Sequence, residues 1–127
     1  MSTRSIIGIK EPNGTIRAVT CHYDGYPEGV GKTLLQHYAA ADTVRALLAL
    51  GDLSALEPSI DASEFYARDR GETLSPPIEI TPDDAAILGR IYYAYLWDVT
   101  AACWVWSDAL LADLRPLTAA DCGVSDA

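Results

Sequence analysis

In the first quarter of the chain two apolar-rich segments flank a turn, and apolar and polar residues alternate along part of the second. The segments SIIGIK (Ser5–Lys10) and IRAVTCHYD (Ile16–Asp24) flank Pro12-Asn13-Gly14. An Asn-Gly pair supplies the positive φ angles that tight hairpin turns need. We therefore predict a β-hairpin. Alternation would place two sets of residues on opposite faces of its second strand: Val19, Cys21 and Tyr23 on one, and Thr20, His22 and Asp24 on the other.

The apolar spacing changes to a helical one after the glycine-rich segment 25–31. Apolar residues recur every three or four positions from Val30, which predicts a helix over Lys32–Tyr38. A second helix is predicted from Asp42, as N-cap, to Gly51. The sequence Thr81-Pro82-Asp83-Asp84 is typical of another helix start. Residues 52–80 contain three prolines and no sustained period, so we expect mostly loop there.

The pattern of residues 91–106 is compatible with two structures. IYYAYLW and CWVW would be two strands paired across 98–102, whereas a stripe that includes Tyr95, Val99 and Cys103 has helical spacing. Aromatic and β-branched density favours strands. Tyr93, Tyr95 and Trp97 would then share one face, which is either core or a platform for a base or a protein partner.

Together these elements predict an α+β fold. We expect a small antiparallel sheet, built from the N-terminal hairpin and a C-terminal aromatic hairpin and packed with two to four short helices. A length of 127 residues suits one hydrophobic core, so residues 1–118 are predicted to be a single domain. Leu110–Leu114 would add a last helical turn, and residues 119–127 would form a frayed acidic tail.

The charge of the chain narrows the classes of partner. The chain has 18 acidic and 9 basic side chains, which gives a formal charge of −9. Residues 1–50 carry a charge of +1 and residues 51–127 a charge of −10. This acidity disfavours direct binding to a nucleic-acid backbone, and it suits either a basic partner or simple solubility. No apolar run is long enough to span a membrane, and the N-terminus lacks a signal-peptide pattern. The three cysteines are an odd number with no close pair, which is typical of a reduced, cytoplasmic protein.

A glycine-rich segment, GVGKT, lies between a predicted strand and a predicted helix. A phosphate-binding Walker loop would need glycine at position 26, which is Tyr26, so a nucleoside triphosphatase is not indicated. Two interpretations stay open. The segment is a packed turn before a helix, or its backbone N–H groups and Lys32 hold an anion.

Other polar residues form two further candidate sites. Cys21, His22, Asp24, Glu28 and His37 include metal-ligand and acid–base types, but neighbours on a strand point to opposite faces, which separates Cys21 from His22. A structural or surface pair is the alternative. Arg68 and Arg70 would clamp a phosphate or be neutralised by Asp69 and Glu72. We predict no metal, no cofactor and no catalytic residue. The candidate ligand-binding residues are His22, Asp24, Tyr26, Lys32, His37, Arg68 and Arg70.

Several of these segments occur together in one known group. The motifs RSII, NGT, CHYDGYP and GKTLLQHY, with the later pieces ALLALGDL, YARDRGE and YYAYLWD, resemble a family of small proteins encoded by bacteriophages and prophages. Similar proteins have glycine-containing turns where this chain has Asp98–Ala102.

The resemblance implies an accessory role in phage infection, and three functions are compatible with it. The first is non-enzymatic inhibition of a host defence protein or complex, as anti-CRISPR proteins do, by an acidic surface. The second is a sponge that sequesters a signalling nucleotide of the cyclic oligonucleotide or ADP-ribose type. The third is a small enzyme that uses His22, Asp24 and His37. Homodimerisation is compatible with all three.

Overall fold

The predicted N-terminal hairpin lies at the centre of the sheet in the computed structural model, which describes residues 3–80, 93–108 and 111–123. Strands β1 (Ser5–Lys10) and β2 (Ile16–Cys21) pair antiparallel over their whole length. The second strand ends three residues earlier than predicted, because the chain turns away before Asp24, whose φ is 59°.

The aromatic segment forms strands, so the single-helix alternative is wrong for its described part. Two short strands, described below, precede this part of the chain. The strands described after residue 77 are β5 (Ile78–Ile80), β6 (Tyr93–Asp98), β7 (Cys103–Ser107) and β8 (Arg115–Pro116). β6 and β7 pair antiparallel from Ala94 opposite Ser107 to Asp98 opposite Cys103. Residues 111–114 form a turn rather than the predicted helical turn.

The α+β class is confirmed, with hairpins at both ends, but the sheet is mixed rather than antiparallel. Between the hairpins lie β3 (Leu53–Ala55) and β4 (Glu64–Phe65). Within the described residues eight strands form one sheet in the order β4-β3-β2-β1-β6-β7-β8, while β5 pairs with β2. β1 runs parallel to β6, and β2 runs parallel to β3. The two hairpins therefore join through their first strands, which makes their contact parallel.

Two helices cross one face of the sheet. Helix α1 (Lys32–His37) continues from a wide helical turn over Pro27–Gly31, and helix α2 is Ala41–Ala49. The N-cap of α2 is Ala40, so Asp42 lies in the first turn instead of capping it. Gly51, with φ of 80°, follows the end of α2 as predicted.

Residues 52–80 contain more structure than the predicted loop. They hold β3, β4, β5 and a short helix, α3 (Tyr66–Arg70). Each of these elements is two to five residues long, too short to show a period, and the strands are defined by pairing with distant partners. The predicted helix start at Thr81-Pro82-Asp83-Asp84 lies outside the described residues.

The core lies mainly between the helices and the sheet. Tyr95, Trp97, Trp104 and Trp106 pack there with the apolar faces of α1 and α2. The opposite face of the sheet carries a smaller apolar cluster that includes Ile6, Ala18, Ile80, Ala94 and Leu96. At the start of the predicted tail, Cys122 is 2% exposed and its N–H donates to the carbonyl oxygens of Thr118 and Ala119.

Candidate functional site

The glycines of the segment before α1 allow close packing. A Cβ atom at Gly25 would lie 2.8 Å from the carbonyl oxygen of Thr3, and one at Gly31 would lie 3.1 Å from the ring of Tyr95. A Cβ atom at Gly29 would overlap the carbonyl oxygen of Asp24. Each glycine therefore has a structural reason that involves no ligand.

The backbone N–H groups of the same segment are already used inside the protein. The N–H of Gly29 donates to the carbonyl of Tyr26, and that of Val30 donates to the carbonyl of Asp24, at 2.9 and 2.8 Å. The Lys32 N–H donates to carbonyl oxygens of the preceding turn. An anion cradle needs free N–H groups, so these contacts favour the packed-turn interpretation.

A groove lies beside this segment, between α1 and residues 56–61. It consists of two adjoining hollows of about 410 and 310 Å³ that share His37 and Pro58. Asp24, Glu28 and Glu57 line the larger hollow together with Lys32, and Asp61 lines the smaller one. We call this feature the acidic groove. It brings together Asp24, Lys32 and His37 of the predicted candidates.

The wall of the acidic groove opposite α1 is held by hydrogen bonds to the core. The Tyr38 hydroxyl donates to the carbonyl of Glu57 at 2.8 Å, and the indole N–H of the buried Trp104 donates to the carbonyl of Tyr38 at 3.1 Å. The Glu57 N–H donates to Oγ of Ser63 at 2.8 Å. Because Tyr38 closes α1, these bonds fix the helix and the opposite wall relative to each other.

Arg68 stabilises this wall through hydrogen bonds to its backbone. Its guanidinium donates to the carbonyl oxygens of Ile60, Asp61 and Ser63, and it pairs with Asp69 at 2.9 Å. The hydrogen bond from Arg68 lowers the pKa of Asp69, which also accepts the N–H of Phe65. These contacts give Arg68 an internal structural role, and its pairing with Asp69 agrees with the neutralised alternative.

Arg70 is also engaged by protein groups. It forms an ion pair with Glu64 and lies over the ring of Tyr66, 4.9 Å from the ring centroid. The hydrogen bond from Arg70 lowers the pKa of Glu64. Arg68 and Arg70 belong to the same short helix, and each pairs with a different carboxylate. The partner of Arg70 is Glu64, whereas the sequence predicted Glu72.

The two histidines lie in different surroundings. His22 is half-buried, with its Nδ1 3.1 Å from the hydroxyl of Tyr66, whereas His37 is exposed in the acidic groove. The Tyr26 hydroxyl donates to Asp24 at 3.1 Å, so the hydrogen bonds of the described residues connect His22 and Asp24 to different tyrosines. That hydrogen bond raises the pKa of Tyr26, and burial raises the pKa of Tyr66.

Cys21 belongs to the core. Burial raises the pKa of its thiol to about 12, so at neutral pH it stays protonated and unreactive.

In residues 3–80, 93–108 and 111–123, no three His, Cys, Asp or Glu side chains converge in a way that would hold a metal ion. None of the described helices is both long enough and apolar enough to cross a membrane.

The aromatic face of the second hairpin is core. Tyr95, Trp97, Trp104 and Trp106 are all buried, and the Tyr95 hydroxyl donates to the carbonyl of Gly25 at 2.7 Å. Tyr93 is half-buried beside Trp106. Tyr95 therefore joins the hairpin to the segment that begins the acidic groove, and it presents no platform to a ligand.

Sequence reasoning missed the groove's second wall, which includes Glu57, Pro58 and Asp61. These residues lie in the stretch predicted as loop, and their contact with α1 depends on the pairing of β3 with β2. The available sequence signal was the acidic excess after residue 51, which does not indicate which residues form a site.

No match is found when the chain is compared with protein-family models, with curated proteins or with solved structures.

Proposed function

We propose that this protein is a non-enzymatic inhibitor that acts by binding a basic surface of a host defence protein or complex. The observation that carries the proposal is the distribution of ion pairs. Arg45, Arg68, Arg70 and Arg115 each have a carboxylate partner, whereas the acids of the groove have no ion pair among the described residues. Four of the eight described arginine and lysine side chains are thus paired, and the acidic groups of the groove stay available to a partner.

The phage context comes from the motif resemblance, and the acidic groove supplies the surface. A single exposed ion pair contributes little free energy to binding. A set of like charges nevertheless steers a basic protein toward the surface and sets its orientation. Such an interface weakens with added salt, because exposed charges are screened beyond about 8 Å at physiological ionic strength.

The two alternatives have less support from these contacts. A nucleotide sponge needs cations at the phosphates, but Arg68 and Arg70 are engaged internally and Lys32 is accompanied by three carboxylates in its hollow. An enzyme that uses His22, Asp24 and His37 needs them within hydrogen-bond reach of one substrate. The hydrogen bonds of His22 and Asp24 lead instead to Tyr66 and Tyr26.

A plating assay tests the proposal directly. The protein is expressed in bacteria that carry single defence systems, and each strain is challenged with a phage that its system restricts. We expect plating to be restored on at least one strain, and the matching defence complex to copurify with the protein at low salt and dissociate at high salt.

Two results would contradict the proposal. One is unchanged restriction on every strain of a broad panel. The other is restored plating together with a thermal shift by a cyclic nucleotide and no contact with the defence complex, which would establish the sponge function.

A further inference from the structure

The lining of the acidic groove combines carboxylates with a few apolar side chains. Val30, Leu56 and Pro58 line the larger hollow along with Asp24, Glu28 and Glu57. Val30 is buried, Leu56 is half-buried, and the three carboxylates are exposed. The larger hollow thus has apolar side chains beside its carboxylates.

This arrangement matches the two parts of a lysine or arginine side chain. Such a side chain buries its aliphatic stem along apolar surface and keeps its charged head at a polar boundary. Free phosphate or a nucleotide would meet three carboxylates and one amine in the larger hollow. Charge complementarity therefore selects a cationic occupant over an anionic one.

The groove is also held in a shape suited to binding. Both of its walls are fixed by buried or half-buried hydrogen bonds, through Tyr38, Ser63 and Trp104, so little ordering is needed when a partner enters. Its hollows of about 410 and 310 Å³ adjoin at His37 and Pro58, so two side chains of one extended segment would fit side by side.

We infer that the acidic groove is the docking site for an extended, lysine- or arginine-bearing segment of the target protein, with one long basic side chain in each hollow. The inference rests on the proposed function and names the surface that performs it. Glu28 and Glu57 bind the charged head in the larger hollow, and Asp61 binds the second. Tyr26, whose hydroxyl donates to Asp24, is 38% exposed next to the groove and provides an aromatic contact at its edge.

A labelled peptide of alternating lysine and glycine is the probe, titrated at low salt and followed by fluorescence anisotropy. The test variant is Glu28→Gln/Glu57→Gln/Asp61→Asn. The matched control is Glu72→Gln/Glu79→Gln/Asp113→Asn, which changes the net charge equally at exposed positions outside the groove. We expect the groove variant to bind about tenfold more weakly, since three rim pairs contribute about 1–2 kcal/mol together, and the control to bind nearly as the parent does.

Amide shifts in a nitrogen–hydrogen correlation spectrum give an independent readout. The peptide should perturb the amides of Thr33, Gln36 and Glu57, which line the larger hollow. Equal weakening of both triple variants, or shifts spread over the whole surface, would overturn the inference, because net charge alone would then explain binding. Spermine that bound as tightly as the peptide would overturn it too, since the groove would then be a polyamine site.

The plating assay separates failure of this inference from failure of the proposed function. If the parent protein restores plating and the groove variant restores it equally well, the function stands and the groove is not the docking site. If the parent protein restores plating on no strain, the proposed function itself fails. We expect the groove variant to lose the restoration and the control variant to keep it.

Discussion

Ala102 occupies a backbone conformation that suits glycine better. It closes the turn between β6 and β7 with φ of 54°, and for a non-glycine residue this region costs about 1–2 kcal/mol. Two hydrogen bonds hold the turn: Ala102 N–H donates to the Asp98 carbonyl at 2.8 Å, and Ala101 N–H donates to the Asp98 carboxylate at 3.1 Å. Pairing of β6 with β7 therefore maintains a strained residue.

Replacing Ala102 with glycine should relieve this strain. We expect Ala102→Gly to raise the free energy of unfolding by about 0.5–1 kcal/mol, measured by urea denaturation. Ala101→Gly in the same turn is the control, because Ala101 does not have a positive φ, and it should give no gain. A gain from both substitutions would mean that the Ala102 conformation is not the cause.

At the scale of elements, the short helix α3 stabilises the wall of the acidic groove formed by residues 56–61, although none of its own residues lines the groove. Arg68 lies on α3, and its guanidinium spans three carbonyl groups of the segment that leads into β4. The planar guanidinium suits several acceptors at once, and a lysine would supply only one point charge. Arg68 is therefore a positioning residue for the acidic groove.

Loss of Arg68 should loosen this wall locally. We expect Arg68→Ala to speed amide hydrogen exchange in residues 57–65 by about tenfold, and Arg68→Lys to restore little of the protection. The control Arg45→Ala removes an exposed pair with Glu11 elsewhere and should leave exchange in 57–65 unchanged. Unchanged exchange in Arg68→Ala would contradict this expectation, because the hydrogen bonds of Tyr38 and Ser63 would then be enough to hold the wall in place.

At the scale of the whole molecule, acidic charge has two opposite effects on stability. The formal charge of −9 produces self-repulsion at neutral pH, which weakens as carboxylates are protonated. Four carboxyls act in the other direction, because hydrogen bonds from Arg45, Arg70, Arg68 and Thr118 lower the pKa values of Glu11, Glu64, Asp69 and Asp121, respectively. Their contribution is complete above the unfolded-state pKa and is lost as the pH falls through the lower folded-state values.

We expect the loss of these four interactions to outweigh the relief of repulsion, so that stability declines in acid. Urea midpoints should be similar between about pH 7 and pH 5 and should fall as the pH drops below about 4. The double variant Glu11→Gln/Asp69→Asn should be less stable at neutral pH and show a shallower acid decline. A midpoint that rose steadily down to about pH 2.5 would contradict this expectation, because repulsion would then outweigh the paired carboxyls.

Local sequence was informative where an element is defined by its own residues. The Asn-Gly turn and the partial alternation of the second strand predicted the first hairpin, and aromatic density correctly favoured strands for 93–107. Alternation also placed Val19 and Cys21 on a common face, which is the core face. It failed at Asp24, because the strand ends at Cys21 and a residue with positive φ no longer follows the period of the strand.

The sequence by itself determined the first hairpin, the first two helices, the α+β class and the acidic character of the chain, and it favoured the second hairpin over a helix. These follow from local periodicity, turn chemistry and charge, which depend on neighbouring residues. Only the tertiary structure decided the parallel junction of β1 with β6, the placement of 56–61 opposite α1, and the internal use of Arg68. These features join residues that are far apart in the chain, and such contacts have no local pattern because they depend on strand pairing and a shared core.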